Sequence, residues 1–543
     1  MKYSKITILA LAGIMAASCS DIDNQLPEGG ALTTDQVQDA TNAIPERMMA
    51  NFTGMFTMMG KPGATWSTGG NSSRADDFGF ISAAISLDFE GADMIGMNSD
   101  YNWFSAASEL STRDANYANP YMRYVIPYRQ IGLANQIIES VPDDATNPET
   151  INMRAQAHAI RAFDYLSLAP YFQFADVAHL DAPCIPLLDG KYNADENPRA
   201  SVREVYECII ADLNWAIEHL TAERSDKGKI NKNVALGLRA RTNLLLGKYA
   251  EAAADAAEAM VGYTPASMES LGVPSFYDVN DANWIWGIPL TEDMVLDRPM
   301  CTSSSWMSAF SALSYTAYAQ LTPQINVLLY NKISDTDVRK YWWIDENLYS
   351  PLLDKVEWNG VTGVGISTLK IDDVKDTFLP YSNVKFGMKA GVGTEINNND
   401  WPLMRVEEMI LIQAEGLAKS GKAGEAEQIL TNFVKTYRDP NYTRPATRSL
   451  EDEIWFQRRV ELWGEGFFTS DAKRLGKHIV RFHADKESNI PDAFKFNVKA
   501  DDGWMNLRFP QTEKDNNKAI VDNVGGSQPV SGQHPELRDG VTD

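Results

Sequence analysis

The chain reads as a mainly α protein in which helical hairpins stack into a scaffold, interrupted by a large loop-rich insertion and irregular binding loops. Three observations predict this. In the stretch 233–262, NVALGLRARTNLLLGKYAEAAADAAEAMVG, apolar residues recur at helical spacing on both sides of Gly247: Val234, Leu238, Leu245 and Leu246 before it, Ala253, Ala256, Ala257 and Met260 after it. The G-K-x-x-E-A of residues 247–252 returns at 421–426, again between periodic segments. Between the two copies, from Tyr263 to Asp400, periodicity fades while Pro, Gly and aromatic residues accumulate.

Each hairpin follows from its residues. Glycine just past a helix end can adopt the left-handed conformation that closes the helix, and almost no loop follows, so the flanking helices must be antiparallel neighbours. A contact stripe made mostly of alanine lets their backbones approach closely. An uninterrupted tetratricopeptide array repeats every ~34 residues, whereas these copies lie at 247 and 421, so the solenoid is tetratricopeptide-like but interrupted. Recognition is then expected in the interrupting loops, because repeat helices mainly bury one another.

At the amino end, Lys2 and Lys5 precede an apolar run from Ile6 to Ala17, too short to span a bilayer and suited to a secretory signal. Ala16-Ala17-Ser18-Cys19 resembles a bacterial lipobox, with Ala16 standing where leucine is usual. The expectation is a signal peptide over 1–18, lipidation at Cys19 and a flexible spacer over 19–34, which carries Pro27, Gly29 and Gly30. Several acyl chains on one residue tether a protein stably without embedding it. The acidic start Ser20-Asp21-Ile22-Asp23 is similar to the pattern of surface-exported lipoproteins of the Bacteroidetes phylum.

Residues 35–543 are expected to form one domain. Broken helix over 35–59 precedes a Gly, Ser and Asn-rich stretch with Trp66, Arg74, Asp76 and Asp77, and 93–117 is loop-rich. Helices are predicted over 121–141, with a possible kink at Pro127, and over 153–172 and 202–220, followed by the 233–262 hairpin. After the insertion at about 263–400, helices return at 404–419, 423–437 and from 452 to about 464, before a loop-rich tail from 482. The scaffold is thus placed at about 121–262 and 403–480.

Composition excludes several classes. Asp and Glu number 73 against 49 Lys and Arg, a formal net charge of −24, which repels nucleic acid and anionic lipid. The cysteines (Cys19, Cys184, Cys208, Cys301) form no C-x-x-C pair, and the six histidines show no zinc spacing. No cofactor or metal set is predicted, although the acidic loops could hold a structural calcium ion.

Several motifs, in order, resemble the SusD/RagB-like outer-membrane nutrient-binding lipoproteins. They are Tyr128-Arg129-Gln130-Ile131-Gly132-Leu133-Ala134-Asn135, Arg161-Ala162-Phe163-Asp164-Tyr165-Leu166, the Arg239–Ala252 hairpin, Asp337-Val338-Arg339 and Val384-Lys385-Phe386. Arg405 to Glu415, Arg458-Arg459-Val460-Glu461-Leu462 with Glu465-Gly466, and Phe509-Pro510 complete the series. Gln457 departs from the pattern, standing where a glutamate usually precedes the arginine pair, and 467–471 blurs an aromatic-aspartate-leucine continuation. The resemblance implies a SusD-like fold and surface capture of a glycan. It also implies delivery to a SusC-like TonB-dependent transporter in the outer membrane.

Candidate ligand residues follow from sugar chemistry, since an aromatic plane matches the C–H face of a pyranose and Asn, Asp or Arg match its hydroxyls. Asn98, Asp100, Tyr101 and Trp103 offer that mixture, falling where the family's first ligand-binding loop lies, with Trp66 and Arg74 upstream and Trp306, Tyr315 and Tyr318 in the insertion. Adjacent Trp342 and Trp343 point apart in any regular element, and core is the expected place for them. Covering about 50 Å² of sugar face stabilises by about 1.2 kcal/mol. Three stacks give a dissociation constant near ~1 mM before other terms act, so weak capture of long polymers is expected. Arg405, Glu408 and Glu415 read as buried structural partners, and no nucleophile arrangement appears. Peptide capture by the same lid-like mechanism, a glycosidase, which would need two carboxylates flanking the scissile bond, and a pure scaffold role stand as the alternative readings.

Overall fold

The computed structural model describes residues 48–61, 76–96, 103–316, 322–369 and 378–543. Helices of six residues or more are labelled in chain order: α1 Met49–Thr57, α2 Phe80–Phe89, α3 Trp103–Ser108, α4 Ala118–Ser140, α5 Pro148–Phe172, α6 Val202–His219, α7 Lys232–Leu245, α8 Tyr249–Ala259, α9 Val406–Lys419, α10 Ala423–Tyr437, α11 Leu450–Glu461, α12 Phe468–Arg474 and α13 Gln511–Asn516. Two small antiparallel sheets pair β1 (Met94–Ile95) with β3 (Gln324–Ile325) and β2 (Trp284–Ile288) with β4 (Trp401–Arg405).

From α4 to α10 each helix packs on the next, which makes a mainly α solenoid. The starts are chemically specified. Asn147 caps α5, with Pro148 in the first turn, where no amide donor is required. Ser201 and Glu204 form a reciprocal capping box on α6, and Asn231 accepts from Val234 at 3.1 Å to start α7.

The repeated Gly-Lys is a helix-ending motif used twice. Gly247 and Gly421 have φ of +70° and +86°. After them, the Lys248 amide donates to the Asn243 carbonyl and the Lys422 amide to the Leu417 carbonyl, both at 2.9 Å. This is the bond pattern by which a left-handed glycine satisfies the last carbonyls of a helix. Arg239 then clamps Asp255 through two bonds of 2.9 and 2.6 Å, and Asn233 donates to the carbonyls of Ala259 and Val261, fastening α7 to α8 at mid-length and at the end away from the turn.

The insertion does not break the stack. α8 packs directly on α9, although the chain between them runs from 260 to 405. The approach is close: a Cβ on Gly416 would collide with the Tyr249 carbonyl oxygen. Strands β2 and β4, all of whose residues are buried, pair and so bring the first part and the end of the insertion together.

Three elements carry no sequence signal. In α2, FISAAISLDF is buried on every side, so no polar face marks its period. WIWGI and WPLMR are likewise buried on both faces and show no alternation. Trp342 and Trp343 are both in the core, at 0% and 1% exposure.

Candidate functional site

Of the residues singled out as ligand contacts, Trp306 and Tyr315 are described fully and Trp103 by its backbone, as the first residue of α3. Trp66, Arg74, Asn98, Asp100, Tyr101 and Tyr318, and the lipidation candidate Cys19, lie outside the described residues.

The described residues join the two sequence-distant loops at one place. Trp306 and Tyr315 stack with ring centroids 4.4 Å apart and planes 3° from parallel. Phe104, next to Trp103, meets Trp306 edge-on at 5.0 Å, and Phe78 and Phe89 close on Phe104 at 6.1 and 5.0 Å. Trp306 is buried at 3% exposure and Tyr315 is half-buried, so Trp306 backs the pair and Tyr315 carries its outer area. The sequence does not single out Phe104 or Phe78: Phe104 follows Asn102 and Trp103 directly, and only its edge-on contact with Trp306 distinguishes it.

The backbone around the pair is held by short polar side chains. Thr302 caps the helical turn Ser303–Met307, Ser305 Oγ accepts from the Tyr315 amide at 3.1 Å, and the Thr316 hydroxyl donates to the Ser308 carbonyl at 2.8 Å. Asn397 Nδ2 donates to the Pro299 and Leu313 carbonyls at 2.8 and 2.7 Å, and Ser304 Oγ accepts from the Asn399 amide. The side-chain carbonyls of Asn397 and Asn398 are buried without a hydrogen-bond partner among the described residues. Burial pushes the nearby Cys301 thiol up to about 11, against the pull of Arg298, so it is a neutral thiol at physiological pH.

The motif charges have a different place. Arg339, Lys385, Arg405 and Arg438 interlock with Asp337, Glu407, Glu461 and Glu465, four charges of each sign, all buried. Arg339 and Lys385 come from the insertion, and Arg438, Glu461 and Glu465 from the second half of the scaffold. Gln457, which replaces the expected glutamate, accepts from Arg339 at 2.6 Å and donates to Glu453 at 2.8 Å. Glu408 pairs instead with Arg241, and Glu415 with Arg474 and Lys419. Upstream, Arg161 holds Asp212 through two bonds and Asn135 through a third. A set so saturated and enclosed is structural. Among the described residues no group of His, Cys, Asp and Glu could hold a metal ion, Cys184, Cys208 and Cys301 are unbridged, and no helix is long and apolar enough to cross a membrane.

Two family profiles match the chain, one described as starch-binding associating with outer membrane over residues 83–244 and the other as the SusD family over 323–525. The chain belongs to the SusD/RagB-like family. A SusD-like protein of Formosa agariphila, P2, is 30% identical over 164 residues, which span 30% of this chain and 30% of that protein. A second from the same organism, P38, is 22% identical over 412 residues, 66% of this chain and 73% of that protein. A SusD-like carbohydrate binding protein of Bacteroides vulgatus superposes with a TM-score of 0.67 at 23% identity, covering 88% of this chain and 97% of its own. The SusD-like fold therefore accounts for the interrupted helical scaffold.

Proposed function

We propose that this SusD-like protein binds a glycan at the cell surface and passes it to a SusC-like TonB-dependent transporter, held at the outer membrane by lipid on Cys19. The observation that carries the reading is the meeting of Phe104, Trp306 and Tyr315. Two aromatic-rich segments some 200 positions apart in sequence converge there, and Trp103 opens the helix that supplies Phe104. Tyr315 offers a half-buried ring backed by a parallel indole, a rigid platform for the C–H face of a sugar. The family's description as starch-binding, and the carbohydrate-binding relative with the same fold, favour a glycan over a peptide. The motif carboxylates Glu407, Glu461 and Glu465 are engaged by buried arginine and lysine, and we read the activity as capture without cleavage.

A titration against a polysaccharide panel tests this. One polymer is expected to bind weakly, and Tyr315→Ala, which removes about 1.2 kcal/mol of stacking, weakens it about sevenfold. Trp103→Ala is expected to weaken it by a similar factor. Silence of the native protein on every polysaccharide, or full binding by both variants, rejects the reading.

A further inference from the structure

A cavity of about 140 Å³ lies between α2, α5, α7, β4, α9 and α12, away from the aromatic pair. Its walls are mostly apolar, with Phe163, Leu166, Leu244, Trp401 and Ile412 among the lining residues. Ser167, Leu245, Phe467 and Ser470 at its rim are half-buried, so it reaches the surface. A closed apolar cavity of about 150 Å³ accommodates benzene, so this one suits a body of that size.

One polar group in this wall is unfinished. Arg458 is 3% exposed at its side chain and donates Nε and Nη2 to Asp471 at 2.8 and 3.2 Å, but its Nη1 has no hydrogen-bond partner among the described residues. A buried cationic N–H without an acceptor is costly and calls for one. The carboxylates nearby are engaged: Asp471 also takes Arg474, Glu408 holds Arg241, and Glu465 belongs to the neutral network with Lys385 and Arg405. The charged residues that line the cavity are Arg241, Arg458 and Arg474 against Glu408, Glu465 and Asp471, three of each sign, and Glu465 is already spent on Lys385 and Arg405.

We propose that this cavity binds a small carboxylate with an apolar, ring-sized body, the carboxylate accepting from Arg458 Nη1 and the body filling the space between α5, α7 and α9. A sugar does not fit the same description, because its ring hydroxyls would face apolar walls without partners. The site is therefore distinct from the aromatic pair, and it stands or falls independently of glycan capture.

The test uses two probes of equal body size and opposite charge, sodium phenylacetate and 2-phenylethylammonium chloride, followed by saturation-transfer NMR on the native protein. Phenylacetate is expected to bind and the ammonium to bind at least about tenfold more weakly. Arg458→Met is expected to weaken phenylacetate about tenfold. Because that variant also loses the Asp471 pair and can misfold, Ser167→Trp provides a second arm: it places an indole in the half-buried rim and is expected to abolish binding with Tm unchanged. No phenylacetate binding up to its solubility limit, equal binding of the two probes, or undiminished binding in Ser167→Trp overturns the proposal.

Discussion

Arg405 shows what the family's charged motifs do. Its guanidinium bonds Glu465 twice at 2.8 Å, Glu461 at 3.1 Å and Glu407 at 2.9 Å, all out of contact with water. Removing one member of a buried charge set leaves its partners uncompensated, which costs about 3–5 kcal/mol. Arg405→Met is expected to lower stability by that amount, read as a shift of the urea midpoint at unchanged slope. The same sites make stability acid-sensitive. Burial alone would raise Glu415, but Arg474 and Lys419 outweigh it and hold its carboxyl below the ordinary 4.5. The same balance, struck with Arg438, Arg405 and Arg339, holds Glu461 below it. A carboxylate depressed in the folded state contributes stability above its unfolded value and loses it as pH falls through the folded one. Stability is therefore expected to decline as the solution is acidified below 4.5, and Glu415→Gln to show a shallower decline from a lower starting point, measured by urea unfolding across that range. That these residues are structural was legible in the sequence, from charges set among helical apolar positions. Their partners were not, since Arg241 and Glu408 lie 167 positions apart.

At the scale of elements, the hairpin turns separate two causes of strain. A Cβ at Gly421 meets nothing within 4 Å, so Gly421→Ala tests left-handed strain alone, about 1–2 kcal/mol. At Gly247 the added carbon would also stand 3.0 Å from Val177, and valine is branched there besides. Gly247→Val is expected to cost clearly more than Gly421→Ala in the same thermal unfolding experiment, and equal costs would mean that the Val177 contact yields freely. The helices of the scaffold were readable because each has one buried and one wet side. Helix α2 and strands β2 and β4 were not, because burial on every side erases the period from which an element is recognised.

At the scale of the molecule, the insertion and the scaffold meet at the charge network, where Arg339 and Lys385 pair with Glu461 and Glu465. The close contact of α8 with α9 and the pairing of β2 with β4 carry the solenoid across the insertion. Hydrogen exchange in increasing denaturant is expected to open α7–α8 and α9–α10 as a single unit. Earlier exchange of α9–α10 alone would mean that the two hairpins are independent.

By itself, the sequence determined the helical hairpins, their glycine-ended turns and the interruption between them, because these are local: spacing, a left-handed residue and a loss of period are written within a few neighbouring positions. The ordered motifs added the family. Only the tertiary structure decided that α8 rests on α9, that Arg405 answers to Glu461 and Glu465 and not to Glu408, and that Phe104 of α3 meets Trp306, on which Tyr315 stacks. Each of those depends on which of many equivalent apolar or charged surfaces come together when the chain closes, and that choice is made by the packing of the whole.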